Sequence, residues 1–322
     1  MRRYGPGLVR GVRSSSSSCD FSVMMRDGFS GSDAKPFSEL PGPKYPMLGA
    51  LPTFLSYGVG RMPEYYDHLY DTYGVVVDGS ILSDRTAVIC DPREFRKVFQ
   101  HEGKYPQALT SDAWPVTHFF DKFKQPYNSL VKEGKEWQKG RHALQKDIFS
   151  TASASSYCEP VTQACDEVVE NFGKRVAQGP VDIETEMVNA VSDVFSAAVL
   201  GKSLGVSSGS CPPEAAEWVE DSMRVIQLSA QLIMQPHMKV YPEAFALYRE
   251  FETLFGKTNE ATQKMVMEAV ERYKDFEGPE DELPYVARVQ RRGEISDDVL
   301  GTEVQGIVMA GLDKTFHLFL WD

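Results

Sequence analysis

The sequence predicts a mainly α-helical protein with a small β-sheet near its start, and three observations carry that prediction. Apolar residues recur at helical spacing over most of the chain after about residue 91. Only two stretches, 75–82 and 86–90, are rich in β-branched residues and separated by turn formers. A length of 322 residues, with 42% hydrophobic and 25% charged, fits a globular protein with a substantial core.

Composition excludes several classes of protein. A net charge of -12 argues against binding to nucleic acid, because phosphate needs a basic surface. No stretch of about 18 apolar residues predicts a membrane span. The histidines show no HxxxH or HExxH pattern, so no metal site built from protein ligands is predicted. The cysteines form no CxxC pair and no zinc spacing, which indicates reduced thiols, with Cys158 and Cys165 expected in buried packing; the five are Cys19, Cys90, Cys158, Cys165 and Cys211.

The first 34 residues differ in composition from the rest. Residues 1–19 contain four arginines and no acid, and serine fills positions 14–18. This composition is that of an organelle transit peptide, and the mitochondrion is the expected destination. A disordered tail with no targeting role has the same composition, and that alternative stays open. We therefore expect one folded domain over 35–322.

The folded part begins with a proline-rich entry, and the predicted β-structure follows it. Prolines between positions 41 and 52 predict an extended, rigid segment. A short helix is expected after Pro63, and then come the two strands. Asp91 and Pro92 start the next helix. Further helices are predicted at 134–149, 158–178, 184–200, 213–234, 243–274 and 296–322.

The predicted helix at 134–149 carries two opposed stripes. One is apolar apart from a single cation and consists of Trp137, Arg141, Leu144 and Ile148. The other lies about 200° around the helix and is basic: Lys135, Lys139, His142 and Lys146. Trp137 and Arg141 form a candidate anion site, although an arginine whose stem covers a core edge has the same spacing. The basic stripe is either a solvated face or a docking surface for an acidic partner.

The final stretch predicts a largely apolar helix with a carboxylate inside it. Ser296 is a suitable N-cap residue before two aspartates. Asp313 follows the small residues Ala310 and Gly311, and Thr315 keeps the helical register. A lone carboxylate among apolar residues is costly unless it is paired or used. Small residues let a flat ligand approach the backbone, so a ligand site beside the helix and a merely exposed acid both remain open.

Six segments, in this order, resemble the cytochrome P-450 family of haem-thiolate monooxygenases, and several resemble its mitochondrial branch. The resemblance extends from about residue 38 to 322. The segments are PGPKYPMLG at 41–49, CDPREFRKVFQHEGKYP at 90–106, WQKGR at 137–141, LGKSLGV at 200–206, LPYVARVQRRGEIS at 283–296 and AGLDK at 310–314.

The resemblance implies a P-450 fold and assigns roles to particular residues. WQKGR matches the family's WxxxR helix, so Trp137 and Arg141 would hold a haem propionate. AGLDK resembles the [AG]GxDT pattern of the long central (I) helix, which places Ala310 and Gly311 beside the cofactor. The same pattern gives Asp313 a role in proton delivery.

The family also implies cofactors and partners. Haem b with its iron is the expected cofactor, and dioxygen is the co-substrate. A ferredoxin would deliver electrons by docking on Lys135, Lys139 and Lys146. The substrate class is apolar and sterol- or lipid-like, and the protein is expected to associate peripherally with the inner mitochondrial membrane.

The sequence departs from the family pattern in two ways. Position 314, where the family has threonine, is lysine, and Thr315 lies about 100° further around the helix. Lys314 could pair with Asp313 or turn to solvent. In addition, the ExxR motif and the haem-ligating cysteine loop of the family come after its I helix. None of the five cysteines lies in such a loop, so we expect a chain truncated within the I helix that is inactive and does not hold haem stably.

Two functions are therefore weighed. The first is a mitochondrial-type monooxygenase that hydroxylates an apolar substrate, and the second is a non-catalytic helical remnant that binds a partner or an apolar ligand. An apolar pocket and ordinary core packing explain the candidate substrate-lining residues equally well; these are Trp114, Phe119, Phe120, Met223, Ile226, Leu232 and Met309.

Overall fold

The computed structural model describes residues 36–82, 85–105, 113–209 and 211–320. It contains two units, the first ending at His101 and the second beginning at Glu102. The proposed transit peptide, 1–34, lies outside the described residues. Within the described ranges, no helix is both long and apolar enough to cross a membrane.

The first unit contains the β-structure that the sequence predicts. Its strands are shorter than the two β-branched stretches, and they pair antiparallel, with Val76 opposite Ile89. Tyr65, Leu69 and Val77 form its small core. The helix before the strands directs Tyr65 and Leu69 toward the sheet, to which Val77 belongs. Its elements are α1 (Leu51–Tyr57), α2 (Met62–Tyr73), β1 (Val76–Asp78), β2 (Ala87–Ile89) and α3 (Pro92–His101).

The proline-rich entry is not the extended segment that its composition predicts. Residues 45–49 form a turn, in which the N–H groups of Leu48 and Gly49 both donate to the carbonyl of Tyr45. Gly49 has a φ of +58°, which glycine adopts without strain, and it bridges to Ile81. Helix α1 then begins directly, with proline in its first turn. The prediction of an extended entry was wrong, and α1 was missed.

In the ranges that the structure describes, the second unit consists of helices and the loops that join them. Long amphipathic helices supply most of it, and short 3-10 turns connect several of them. The helices are α4 (Trp114–Phe123), α5 (Gly134–Gln145), α6 (Thr151–Ser156), α7 (Cys158–Gln178), α8 (Ile183–Leu200), α9 (Pro213–Ile233), α10 (Ala246–Arg272), α11 (Tyr285–Arg292) and α12 (Asp297–Leu320).

Helix α12 runs through the largest core cluster of the second unit. Leu300, Val304, Val308 and Leu312 are spaced by four and are all buried on one face. Residues from α8, α9, α10 and α11 surround this face. A second cluster of buried aromatic side chains joins α4 to α9 and α10. The predicted mainly α architecture with a small sheet is therefore confirmed.

Most predicted helices occur within a few residues of their expected bounds. The helix predicted at 158–178 is α7 with the same bounds, whereas the one predicted at 134–149 ends at Gln145. Helices α4, α6 and α11 were not predicted. Cys158 and Cys165 are exposed rather than buried, and the four cysteines in the described ranges are free thiols.

Candidate cofactor-binding site

Helix α5 presents Trp137 and Arg141 one turn apart. The helix begins at Gly134, whose φ of +59° lets the chain turn into it. Ala143 and Leu144 are buried and fix the inner face, while Trp137 is half-buried and Arg141 is exposed. The guanidinium of Arg141 lies over the ring of Phe149, with its Cζ 4.6 Å from the ring centroid. A cation–π contact of this kind orients the side chain and leaves its N–H donors available.

The charge of Arg141 has no carboxylate partner among the described residues. An exposed, oriented guanidinium one helical turn from a tryptophan offers donors that suit a carboxylate ligand. In the alternative interpretation, the stem of the arginine covers the edge of the core and its N–H donors bind no ligand. The residues of α5 therefore fit the propionate groups that the family resemblance assigns to them, although the structure by itself leaves their role a prediction.

Three lysines on the basic face of α5 are predicted to bind a partner, and two of them are accessible. Lys135 and Lys139 are exposed and form no ion pair with any residue in the described ranges. Lys146 instead contacts Glu294, with its Nζ 2.5 Å from Oε1. The hydrogen bond from Lys146 lowers the pKa of the Glu294 carboxyl. Lys135 and Lys139 are thus the stronger candidates for contact with an acidic partner.

Helix α12 has one buried face and one open face at the position of the AGLDK segment. Ala310 and Lys314 are four residues apart and both exposed. Gly311 faces α8, and a Cβ at this position would lie 2.6 Å from Cε2 of Phe195. The small residue at 311 is thus explained by helix packing, whereas the one at 310 leaves a surface that a ligand can approach.

Thr315, another predicted site residue on α12, lies on a different face. Thr315 is half-buried and lines a groove between α7 and α8, so it does not share the open face of Ala310 and Lys314. The side chain of Asp313 lies outside the described residues. The groove has a volume of about 640 Å³ and is almost entirely apolar; its lining includes Val161, Cys165, Val168, Phe172, Met187 and Phe195.

A buried carboxylate on α12 was missed by sequence reasoning. Glu303 has a side chain only 2% exposed, and it accepts hydrogen bonds from the Ser129 N–H at 2.7 Å and the Ser129 hydroxyl at 2.9 Å. Lys132 also donates to it, at 3.1 Å. The sequence contains a signal for this residue, since Glu303 is an acidic residue beside Val304 within an apolar run.

No metal site built from protein ligands occurs in the part of the chain that the structure describes. No group of three or more His, Cys, Asp or Glu side chains there could hold a metal ion.

The candidate substrate-lining residues divide between the two core clusters. Trp114, Phe119, Phe120 and Leu232 are buried in the aromatic cluster, with Met309 packed against it. Met223 and Ile226 pack against the other cluster, around α12. Core packing accounts for all of these positions, and their role in a substrate pocket stays a prediction.

Comparison with known proteins supports the same family. The family model "Cytochrome P450" matches residues 40–321. The mitochondrial 25-hydroxyvitamin D-1 alpha hydroxylase of Rattus norvegicus is 22% identical over 305 residues, covering 90% of this chain and 60% of the relative. The mitochondrial cholesterol side-chain cleavage enzyme of Mesocricetus auratus is 20% identical over 245 residues, covering 74% and 45%. The Homo sapiens enzyme of that name is 18% identical over 312 residues, covering 91% and 57%.

The chain spans about half the length of the curated relatives that it matches. The family model nevertheless covers most of the 322 residues, including both the WQKGR and AGLDK segments. The chain belongs to the cytochrome P450 family.

Proposed function

We propose that this chain forms part of a haem-dependent monooxygenase that hydroxylates an apolar, sterol- or lipid-like substrate. The observation that carries the proposal is the oriented guanidinium of Arg141, exposed and without a carboxylate partner in the described ranges, one helical turn from Trp137. Two relatives are named as enzymes acting on 25-hydroxyvitamin D and on cholesterol, which supports the substrate class.

Each site residue has a proposed task. Trp137 and Arg141 bind the propionate carboxylates of haem b, and the guanidinium offsets their charge. Ala310 keeps the open face of α12 free of bulk where the cofactor would lie, and Gly311 supports that face by letting α12 pack closely on Phe195. Asp313 holds or passes protons, a role that rests on the family pattern alone. Thr315 supplies the hydroxyl next to position 314, where the family has threonine, and its side chain lines the groove between α7 and α8. Haem supplies, when bound, the redox chemistry that activates dioxygen.

The electron donor is proposed to be an acidic ferredoxin that docks on α5. Lys135 and Lys139 give that helix an exposed positive face with no ion pair to any described residue. Docking depends on this local potential rather than on the net charge of -12. The proposed compartment is the mitochondrion, supported by the composition of residues 1–34 and by the mitochondrial names of the relatives.

Peripheral contact with the inner mitochondrial membrane is part of the proposal. The end of α9 and its connection to α10 expose four large apolar side chains close together in the sequence: Ile233, Met234, Val240 and Tyr241. Lys239 lies among them and is exposed. Exposed apolar side chains beside a cation suit the interface of an anionic lipid bilayer.

A haemin titration tests the proposed role of Arg141. Haemin bound at α5 should quench the fluorescence of Trp137, and the Trp137→Phe variant isolates that contribution. We expect Arg141→Ala to weaken haemin binding by about tenfold or more, because it removes one charge-assisted hydrogen bond. Lys139→Ala is the matched control and should leave haemin binding unchanged. Equal affinities for the two variants would contradict the proposal.

How firmly this chain holds haem stays a prediction. We expect reversible binding of haemin on the order of micromolar, with loss of the cofactor during gel filtration. A reduced-CO band near the position usual for the family would contradict that expectation.

A second candidate function, binding of an apolar ligand without catalysis, is favoured by the groove of about 640 Å³ along α7 and α8. A fluorescent sterol whose emission responds to Val168→Asp, but not to Arg141→Ala, would support this function instead.

A further inference from the structure

Three hydrogen-bond donors from one loop segment meet at the carboxylate of Glu303 on α12. Two of its hydrogen-bond donors belong to Ser129, and the third is the Lys132 ammonium. Ser129 is itself buried, and Lys132 is largely covered, with 19% of its side chain exposed. A carboxylate buried this deeply is stable only because donors and an opposite charge compensate it.

The segment that Glu303 holds leads directly into α5. It covers residues 128–132, and two residues later the chain turns into the helix at Gly134. Asn128 braces the segment internally by accepting a hydrogen bond from the Leu130 N–H at 3.2 Å. Among the described residues, Glu303 on α12 is therefore the only charged side chain that forms an ion pair with the 128–132 segment.

The WQKGR segment itself packs on this anchor. A Cβ at Gly140 would collide with the Ser129 hydroxyl and would lie 3.7 Å from Oε1 of Glu303. Gly140 is three residues after Trp137 and directly before Arg141. On α12, Gly306 makes room for the same segment, since a Cβ there would lie 2.9 Å from Nδ2 of Asn128.

We propose that Glu303 is a positioning residue for the Trp137–Arg141 anion site. It fixes the 128–132 segment against α12, and this segment fixes α5 at Gly140. The inference rests on the proposed function, because it concerns how well the α5 donors bind haem carboxylates. It adds a long-range anchor that the WxxxR pattern does not contain.

The anchor makes a specific demand on the side chain at position 303. Glutamine keeps an oxygen for the Ser129 N–H, and its amide N–H can donate to the Ser129 hydroxyl, but it loses both the charge and the hydrogen bond that Glu303 offers Lys132. Alanine removes all three acceptor contacts. Glu303→Gln should therefore retain the position of α5, and Glu303→Ala should not.

The experiment uses the full chain and two readouts. The first is amide hydrogen exchange at Ser129, whose N–H donates to Glu303. The second is haemin affinity from Trp137 fluorescence. We expect Glu303→Ala to accelerate exchange at Ser129 and to weaken haemin binding by about tenfold, and Glu303→Gln to stay within about threefold of wild type.

A matched control separates positioning from a general loss of stability. Gln305 is buried on the same helix, but its amide donates to the Thr258 hydroxyl of α10 at 2.9 Å, away from α5. Gln305→Ala should lower the melting temperature and leave haemin affinity unchanged. Equal weakening by Glu303→Ala and Gln305→Ala would overturn the positioning role.

The remaining outcomes also decide the inference. Normal haemin binding by Glu303→Ala would contradict the positioning role alone and leave the proposed function standing. The absence of any Trp137 response in the wild-type chain would contradict the proposed function, and the positioning role with it.

Discussion

Gly311 of α12 lies directly against the ring of Phe195 of α8. A Cβ at position 311 would be 2.6 Å from Cε2 and 3.1 Å from Cζ of that ring, closer than packed carbon atoms tolerate. The contact holds α12 at a fixed distance from α8. As a result, the open face one residue earlier, at Ala310, is directed away from the bundle.

Substituting Gly311 tests this contact. Gly311→Ala should lower the free energy of unfolding by about 1–3 kcal/mol through overpacking, even though alanine is the better helix former. Urea unfolding measures the change. Ala310→Ser, on the exposed face, should change it by less than about 0.5 kcal/mol. Adding Phe195→Leu should relieve part of the Gly311→Ala loss, and strictly additive effects would argue against the contact.

The ferredoxin surface on α5 makes a charge-dependent prediction. Lys135→Glu and Lys139→Glu should each weaken binding of an acidic [2Fe–2S] ferredoxin several-fold, and the effect should shrink as salt is raised. Isothermal titration at two ionic strengths measures this. Lys146→Glu should matter less, because Lys146 already pairs with Glu294. A uniform response of the three variants would contradict the assignment.

The lysine at position 314 makes a separate prediction. Lys314 is exposed on α12, at the position where the family has threonine. In a haem-binding, active P450 that carries these residues, Lys314→Thr should raise the product formed per electron consumed. The reason is that the change restores the threonine that follows the aspartate in the family pattern. We infer from the missing threonine that Lys314 impairs oxygen activation, and unchanged coupling would contradict that inference.

The burial of Tyr157 predicts that the stability of the fold falls at alkaline pH. Burial raises the pKa of its phenol to about 12; Arg288 and Arg292 oppose the rise and Asp147 adds to it. Because the ordinary pKa is about 10, the neutral phenol stabilises the fold below about pH 10, and this contribution is lost as the pH rises toward about 12.

The substitution Tyr157→Phe should therefore flatten the alkaline decline. Urea midpoints between neutral and alkaline pH should fall less steeply in the variant than in wild type. Its stability at neutral pH should change little, because the Tyr157 hydroxyl is buried without a hydrogen-bond partner among the described residues. Tyr45→Phe, at an exposed position of the first unit, serves as the control and should leave the slope unchanged.

Helical periodicity predicted the long elements well because their burial follows their spacing. Helix α7 matches its predicted bounds, and the core face of α12 follows the four-residue repeat that ends at Leu312. The unpredicted helices α1, α4, α6 and α11 have seven, ten, six and eight residues, too short for a periodic pattern to stand out. Tertiary packing of their side chains, for example Phe120 and Val286, stabilises them instead.

The candidate site was predictable only in part, for a physical reason. The spacing of Trp137 and Arg141 is local, so the sequence reveals that they share a helix face. The hydrogen bonds between Ser129 and Glu303 join residues 174 positions apart, and no local pattern encodes such a pairing. The packing of Gly311 on Phe195 is likewise a long-range contact, and sequence reasoning read this glycine as a ligand contact.

The most direct measurement compares haemin with its dimethyl ester, which has the same ring and iron but no free carboxylates. If Trp137 and Arg141 bind the propionates, wild-type chain should prefer haemin by about tenfold or more, and Arg141→Ala should abolish that preference. Equal affinity of the wild-type chain for both compounds would contradict the assignment of α5 as the carboxylate-binding helix.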